Sequence, residues 1–316
     1  MNLVPDLVER LFNMSEICDA KSLSRVSKYY RNIFLNIAVN KFRCTYDSNI
    51  APEFNKFCSG FRNIKIMSEL CSLDNCVIVY LPTSFNKTIY LPNGIEKVIF
   101  GREYDQLTEL PPSIKYIMFG DCYNQPTELP PKLEYLIFKY YYNQLTILPH
   151  SVKYVIFSAH YDKVVFLPES IIYLEFGCCY NQPTKLPPFV KNVIFGHRYN
   201  RLTHLPDAIK SLTFGCCYDQ PTILPTMLVY VSFGNMFNQQ LILPNSIVTL
   251  KFGDFYNYPI EIPTSVIYLT FGMFYNHVTV IPSSVRKLEV QHHSVFNKND
   301  KSKTIPARYK NFIITP

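Results

Sequence analysis

The sequence predicts a mainly β protein: a parallel β solenoid built from 19-residue turns, preceded by a small α-helical N-terminal domain. Three observations carry this. Leu-Pro or Ile-Pro recurs at every nineteenth position, at Leu91, Leu110, Leu129, Leu148, Leu167, Leu186, Leu205, Leu224, Leu243, Ile262 and Ile281. Between these marks the same apolar spacing returns, so that ten complete units fill residues 91–280. The first 35 residues lack the phrase and instead space Leu7, Leu11 and Met14, then Leu23 and Val26, at helical intervals. A fixed short period held over most of a chain is the signature of a stacked repeat.

The unit Leu110–Glu128 shows why each turn takes its form. Ile117 and Phe119 are two residues apart and share one face of a strand, while Tyr116 and Met118 take the other. The columns of Ile114 and Ile117 hold only Ile, Leu or Val, and the third column is Phe from Phe100 to Phe271. Gly follows that Phe in eight of ten units, Lys139 and Ser158 being the exceptions, and is expected to end the strand. A Tyr comes next, replaced by Phe only at Phe237, with an Asn or Asp beside it suited to a turn. Pro after Leu or Ile fixes φ and closes an extended return. So short a unit leaves little room for a helix of several turns, and its five apolar anchors cannot be buried alone. Stacking buries them against the neighbouring turns, each contributing on the order of 1.5–3 kcal/mol before entropy is subtracted.

The ends are degenerate. Cys76, Val79, Leu81 and Phe85-Asn86 fit the columns one period upstream. Phe296-Asn297, Ile305-Pro306 and then Tyr309, Phe312 and Ile314 repeat them around a polar insertion at 297–304, giving a closing strand over 305–314. The expected organisation is a helical domain at 1–46, a linker and degenerate first repeat at 47–90, repeats with a final strand at 91–290, and a degenerate closing repeat at 291–316.

Composition narrows the function classes. The net charge of +7 is mild and dispersed, with no arginine-rich run, which argues against nucleic-acid binding. The ten Cys include no C-x-x-C pair. No apolar run approaches the roughly 18 residues of a membrane span, and the N-terminus lacks the apolar core of a signal peptide. A soluble intracellular protein with reduced thiols is expected.

Catalytic chemistry finds little support. The outward strand positions carry isolated carboxylates such as Glu134 and Glu175 rather than a pair. No phosphate-binding Gly loop occurs, and no cofactor is expected. Stacking places Cys178, His197 and Cys216 in one column, with Cys179 and Cys217 beside it. Cys178 and Cys216 then stand two rungs apart, about 9.6 Å, too far for one zinc ion or a disulfide, so no metal site is expected. The outward columns are more informative. Tyr116, Met118, Tyr135, Ile137, Tyr154, Ile156 and Tyr173 are apolar or aromatic where a strand should meet solvent, whereas the same columns turn mostly polar from Glu175 onward. These seven residues are the expected partner-binding site for a protein target of unknown identity.

Two resemblances sharpen the reading. Tyr-Asn-Gln-Pro at 123–126 and 180–183, Tyr-Asp-Gln-Pro at 218–221, Leu-Pro-Asn-Ser-Ile at 243–247 and Ser-Leu-Thr-Phe-Gly at 211–215 resemble the FNIP repeat, a short relative of leucine-rich repeats. The resemblance covers the ten units at 91–280, more than half of the chain, with Tyr mostly in place of the family's Phe. It implies a leucine-rich-repeat-like solenoid. Val4-Pro5-Asp6 and the run Asp19-Ala-Lys-Ser-Leu23-Ser-Arg-Val26-Ser27-Lys28-Tyr29-Tyr30-Arg31 look like an F-box, although Val and Asp stand where Leu and Glu are usual. A plain helical cap on the solenoid is the alternative. F-boxes followed by FNIP repeats occur in proteins of amoebae and of the giant DNA viruses that infect them, which implies a cytoplasmic location, in the host where the source is viral. The F-box resemblance implies docking on the Skp-family adaptor of a cullin–RING ubiquitin ligase through Pro5, Leu7, Leu11, Leu23 and Val26. The expected protein is therefore a non-enzymatic substrate receptor, and the alternative is a free-standing repeat scaffold.

Overall fold

The computed structural model describes residues 77–290, together with the backbone of two strands at 64–66 and 312–314. The expected helical domain at 1–46, with Pro5, Leu7, Leu11, Leu23 and Val26, lies outside the described residues.

Among the described residues, fifteen strands follow in chain order: β1 (Ile64–Ile66), β2 (Ile78–Tyr80), β3 (Lys97–Ile99), β4 (Tyr116–Met118), β5 (Tyr135–Ile137), β6 (Tyr154–Ile156), β7 (Tyr173–Glu175), β8 (Asn192–Ile194), β9 (Ser211–Thr213), β10 (Tyr230–Ser232), β11 (Thr249–Lys251), β12 (Tyr268–Phe271), β13 (Thr279–Ile281), β14 (Lys287–Val290) and β15 (Phe312–Ile314). Thirteen form one parallel sheet in the order β1 to β12, then β14. From β2 onward each residue in that sheet pairs with its counterpart one repeat further along the chain, as in Tyr116↔Tyr135 and Leu174↔Val193. The fold is thus a parallel β solenoid whose turn is the sequence repeat.

The strands do not reach back to the Ile114 column, because Ile114 belongs to a turn in which its N–H donates to the Pro111 carbonyl at 3.2 Å. Successive rungs repeat this Pro-initiated corner, for example Val190 to Pro187 and Leu228 to Pro225. The middle residue of each strand from β2 to β11 points inward: Ile117, Leu136, Val155, Leu174, Val193 and Leu212 are all buried. The Phe and Tyr columns continue the core. Phe176, Phe195, Phe214, Phe233, Phe252 and Phe271 stack with centroids 5.5–5.7 Å apart. The Tyr column from Tyr142 to Tyr275, Phe237 included, stacks at 6.0–6.3 Å, within the range of favourable offset aromatic pairs.

Two sets of polar contacts order the turns. The Asn or Asp beside each Tyr does not fold back on its own turn. Its side-chain oxygen accepts the backbone N–H of its counterpart one rung on, as from Asn143 to Asn124, Asn200 to Asn181 and Asn238 to Asp219, at 2.9–3.0 Å. In most rungs the buried Tyr hydroxyl meets a Thr four residues ahead, as in Tyr142–Thr146 at 2.9 Å and Tyr218–Thr222 at 2.8 Å.

The Gly after Phe has a different reason from strand termination. A Cβ on Gly215 would lie 1.9 Å from the Gly196 carbonyl oxygen, and one on Gly120 would lie 1.8 Å from that of Gly101. The turns press backbone to backbone, and among the described glycines only Gly94 has a positive φ.

At the C-terminal end β15 does not extend the main sheet beside β14, as its columns suggest. It pairs in parallel with β13, a return segment, to form a separate two-stranded sheet. At the other end β1 joins β2 out of period, Ile64 pairing with Ile78. That shorter step could not be read from the repeat.

Candidate protein-binding surface

The pleat that buries Ile117, Leu136, Val155 and Leu174 turns the residues on either side of them outward. The parallel register sets Tyr116, Tyr135, Tyr154 and Tyr173 side by side, and Met118, Ile137 and Ile156 beside one another. The four Tyr rings form a continuous file, with centroid separations of 5.9, 4.6 and 6.2 Å. They are half-buried, Tyr135 being the most open at 38% exposure. The structure therefore brings all seven expected partner-binding residues together on one face.

Charge closes both ends of the file. The Lys97 ammonium sits 4.3 Å from the centroid of the Tyr116 ring, a cation–π contact. At the other end Tyr173 donates its hydroxyl to Glu175 Oε2 at 2.8 Å. Burial first, then that carboxylate, pushes the Tyr173 phenol up to about 12. Along the near edge run two ion pairs, Lys115–Glu96 at 2.8 Å and Lys153–Glu134 at 2.9 Å. An aromatic and aliphatic centre with a charged rim is the arrangement of a protein–protein interface. Glu134 is thus held by Lys153, and Glu175 by the Tyr173 hydroxyl.

A second apolar surface was missed in the sequence. On the return segments, residues alternate between core and solvent. Thr146, Leu148 and Val165 are buried, whereas Leu145 is 76% exposed, and Ile147 and Phe166 are 90% exposed, with Val164 also open. Leu107, Leu202, Ile223 and Ile242 occupy the same columns and are exposed as well, but Pro, Glu, Lys or His interrupt them in other rungs, so the pattern in sequence is mixed rather than continuous.

The cysteines also differ from expectation. Cys178 and Cys216 do stand two rungs apart, but His197, Cys216 and Cys217 bring their ligand atoms within 4.8 Å of one another, using adjacent rungs and consecutive residues.

A short-period parallel solenoid with an aromatic face and no helix long and apolar enough to cross a membrane among its described residues belongs to the class of leucine-rich-repeat-like scaffolds. Within that class, the chain belongs to the FNIP repeat family: the FNIP Repeat model matches residues 85–122, 123–160, 142–179, 180–217, 218–255 and 237–274. Among solved structures it is similar to CroV588, described as a novel circular LRR protein structure, at 29% identity and a TM-score of 0.52, over 69% of this chain and 44% of that one. It also resembles YopM from Yersinia enterocolitica WA-314, at 18% identity and a TM-score of 0.58, over 70% of this chain and 56% of that one. The latter likeness is one of fold alone, and the chain spans about half the length of either neighbour. No curated protein matches it.

Proposed function

We propose that the protein is a non-enzymatic recruiting subunit that holds a protein target on the face centred on Tyr116, Tyr135, Tyr154 and Tyr173. Residues 1–46 dock on the Skp-family adaptor of a cullin–RING ubiquitin ligase. The observation that carries the target site is the file of four Tyr rings with its aliphatic flank and charged rim. Large, rigid aromatics on a preorganised surface lose little entropy on binding and are enriched where truncation costs about 2 kcal/mol or more. The adaptor half of the proposal rests on the F-box resemblance, with Pro5, Leu7, Leu11, Leu23 and Val26 making the contact. The alternative remains a scaffold with no ligase link.

The exposure of Leu145, Ile147, Val164 and Phe166 favours a second reading of where the target sits. Affinity capture from cytosol with quantitative mass spectrometry separates the two. Tyr135→Ser with Tyr154→Ser is expected to remove the target while adaptor and cullin are retained. Ile147→Ser with Phe166→Ser is expected to leave target recovery unchanged, and loss in that variant instead moves the site to the return side. Leu11→Asp or Val26→Asp is expected to abolish adaptor recovery. Equal recovery from wild type and both of these variants, or none from any, sinks the ligase role and leaves the scaffold.

A further inference from the structure

We propose that His197, Cys216 and Cys217 form a binding site for a thiophilic d10 metal ion, zinc(II) or copper(I). The site lies on the turns that follow β8 and β9, away from the tyrosine face. The imidazole and thiol ligand atoms all lie within 4.8 Å of one another. A tetrahedral zinc with bonds of about 2.0–2.3 Å holds its ligands roughly 3.5–3.8 Å apart, so closure requires a contraction of about 1 Å. Side-chain rotation can supply it, because both thiols are free, His197 is exposed and the two cysteines are half-buried.

The backbone beneath the site is already fixed. Cys217 N–H donates to the His197 carbonyl at 2.9 Å, which locks the two turns in register. Gly196 and Gly215 let those turns approach so closely that a Cβ on the latter would collide with the former's carbonyl. Buried Phe195, Tyr199, Phe214 and Tyr218 anchor both turns to the core. The three ligands are thus preorganised on packed rungs rather than gathered from loose loops, which lowers the entropy lost on binding.

The donor set selects the metal. Two thiolates and a neutral imidazole carry two negative charges, matching zinc(II). The same soft ligands in three-fold arrangement suit copper(I), and they disfavour magnesium or calcium. Three protein ligands leave a fourth position for water or a donor from another molecule. Cys178, one rung before His197, and Met236, whose N–H donates to the Cys216 carbonyl at 2.9 Å, bring further sulfur to the neighbouring turns.

The test uses the full chain, reduced and stripped with a chelator, then titrated separately with zinc(II), with cobalt(II) as an optical reporter, and with copper(I) against a colorimetric competitor. The proposal expects one equivalent of metal bound and, with cobalt, a sulfur-to-metal charge-transfer band. Cys216→Ser and Cys217→Ser are each expected to abolish both, and His197→Ala to weaken binding at least tenfold. Cys122→Ser, in the same turn column as Cys217 but well removed along the solenoid, is expected to leave them intact. Preference for zinc or for copper in the competition decides which d10 ion the site takes. Circular dichroism controls for folding, since all three residues lie outside the core. Absence of binding by either ion, or an unchanged stoichiometry and cobalt spectrum in the Cys216→Ser, Cys217→Ser double variant, overturns the site.

Discussion

Tyr256 is buried with its hydroxyl lacking a partner. In most rungs a Thr four residues ahead receives that hydroxyl, but here the position is Ile260. At Phe237 the conflict is avoided, since the ring lacks a hydroxyl and the position four ahead is Leu241. An orphaned buried hydroxyl costs about 1–3 kcal/mol, so Tyr256→Phe is expected to stabilise the protein by roughly 1 kcal/mol or more. Urea unfolding of both proteins measures this, and a lower midpoint for Tyr256→Phe contradicts it. The same comparison shows what a single residue discloses in sequence. A Tyr in the core column reads as buried from its period alone, but whether its hydroxyl is satisfied depends on a second column that periodicity does not link to it.

At the scale of the turn, the strand columns were legible because burial repeats with the same period as the chain. Ile117, Phe119 and Tyr123 could be placed in the core before any contact was seen. What was not legible are contacts that cross from one turn to the next. The Asn and Asp residues read as local turn formers, yet Asn124 receives the N–H of Asn143, a full turn away. The glycines read as strand stops, yet they permit backbone contact between turns. Gly215→Ala places a methyl 1.9 Å from a carbonyl oxygen that cannot rotate away. The two turns must separate, at a cost of about 2 kcal/mol or more. A matching loss of thermal stability by calorimetry is expected, and tolerance of Ala there is the contrary result. The cluster of His197, Cys216 and Cys217 is hidden from the column spacing for a related reason: the two cysteines that share a column, Cys178 and Cys216, stand two rungs apart, whereas the close approach is between adjacent turns.

For the whole molecule, the stacked phenols make stability depend on alkaline pH. Burial raises the phenols of Tyr180 and Tyr218 to about 12 and those of Tyr123, Tyr161 and Tyr256 further. In the unfolded chain they ionise near the ordinary value of about 10. Between these values the folded state holds more protons than the unfolded one, so its stability falls as pH rises. The contribution is fully present below about pH 10 and is lost progressively toward pH 12 and beyond. Ultraviolet absorbance and circular dichroism followed together should show two stages, with the exposed Tyr such as Tyr90 and Tyr141 ionising first and the tyrosinate of the buried column appearing with the loss of strand signal. Full phenol ionisation near pH 10 with the sheet intact is the result that contradicts a buried Tyr column.

The uniform register has a mechanical consequence. Each turn of the repeat is bonded chiefly to the turn before it and the turn after it, so a pull on the chain ends loads only the outermost turn. That turn comes away without disturbing the interior, and the next inherits an identical attachment. Each release frees one repeat of chain, as the register steps show, and that length extends on the order of 60 Å. A chain built this way lengthens under tension in a staircase of equal increments, and a ligand seated across several turns would appear as a step that resists.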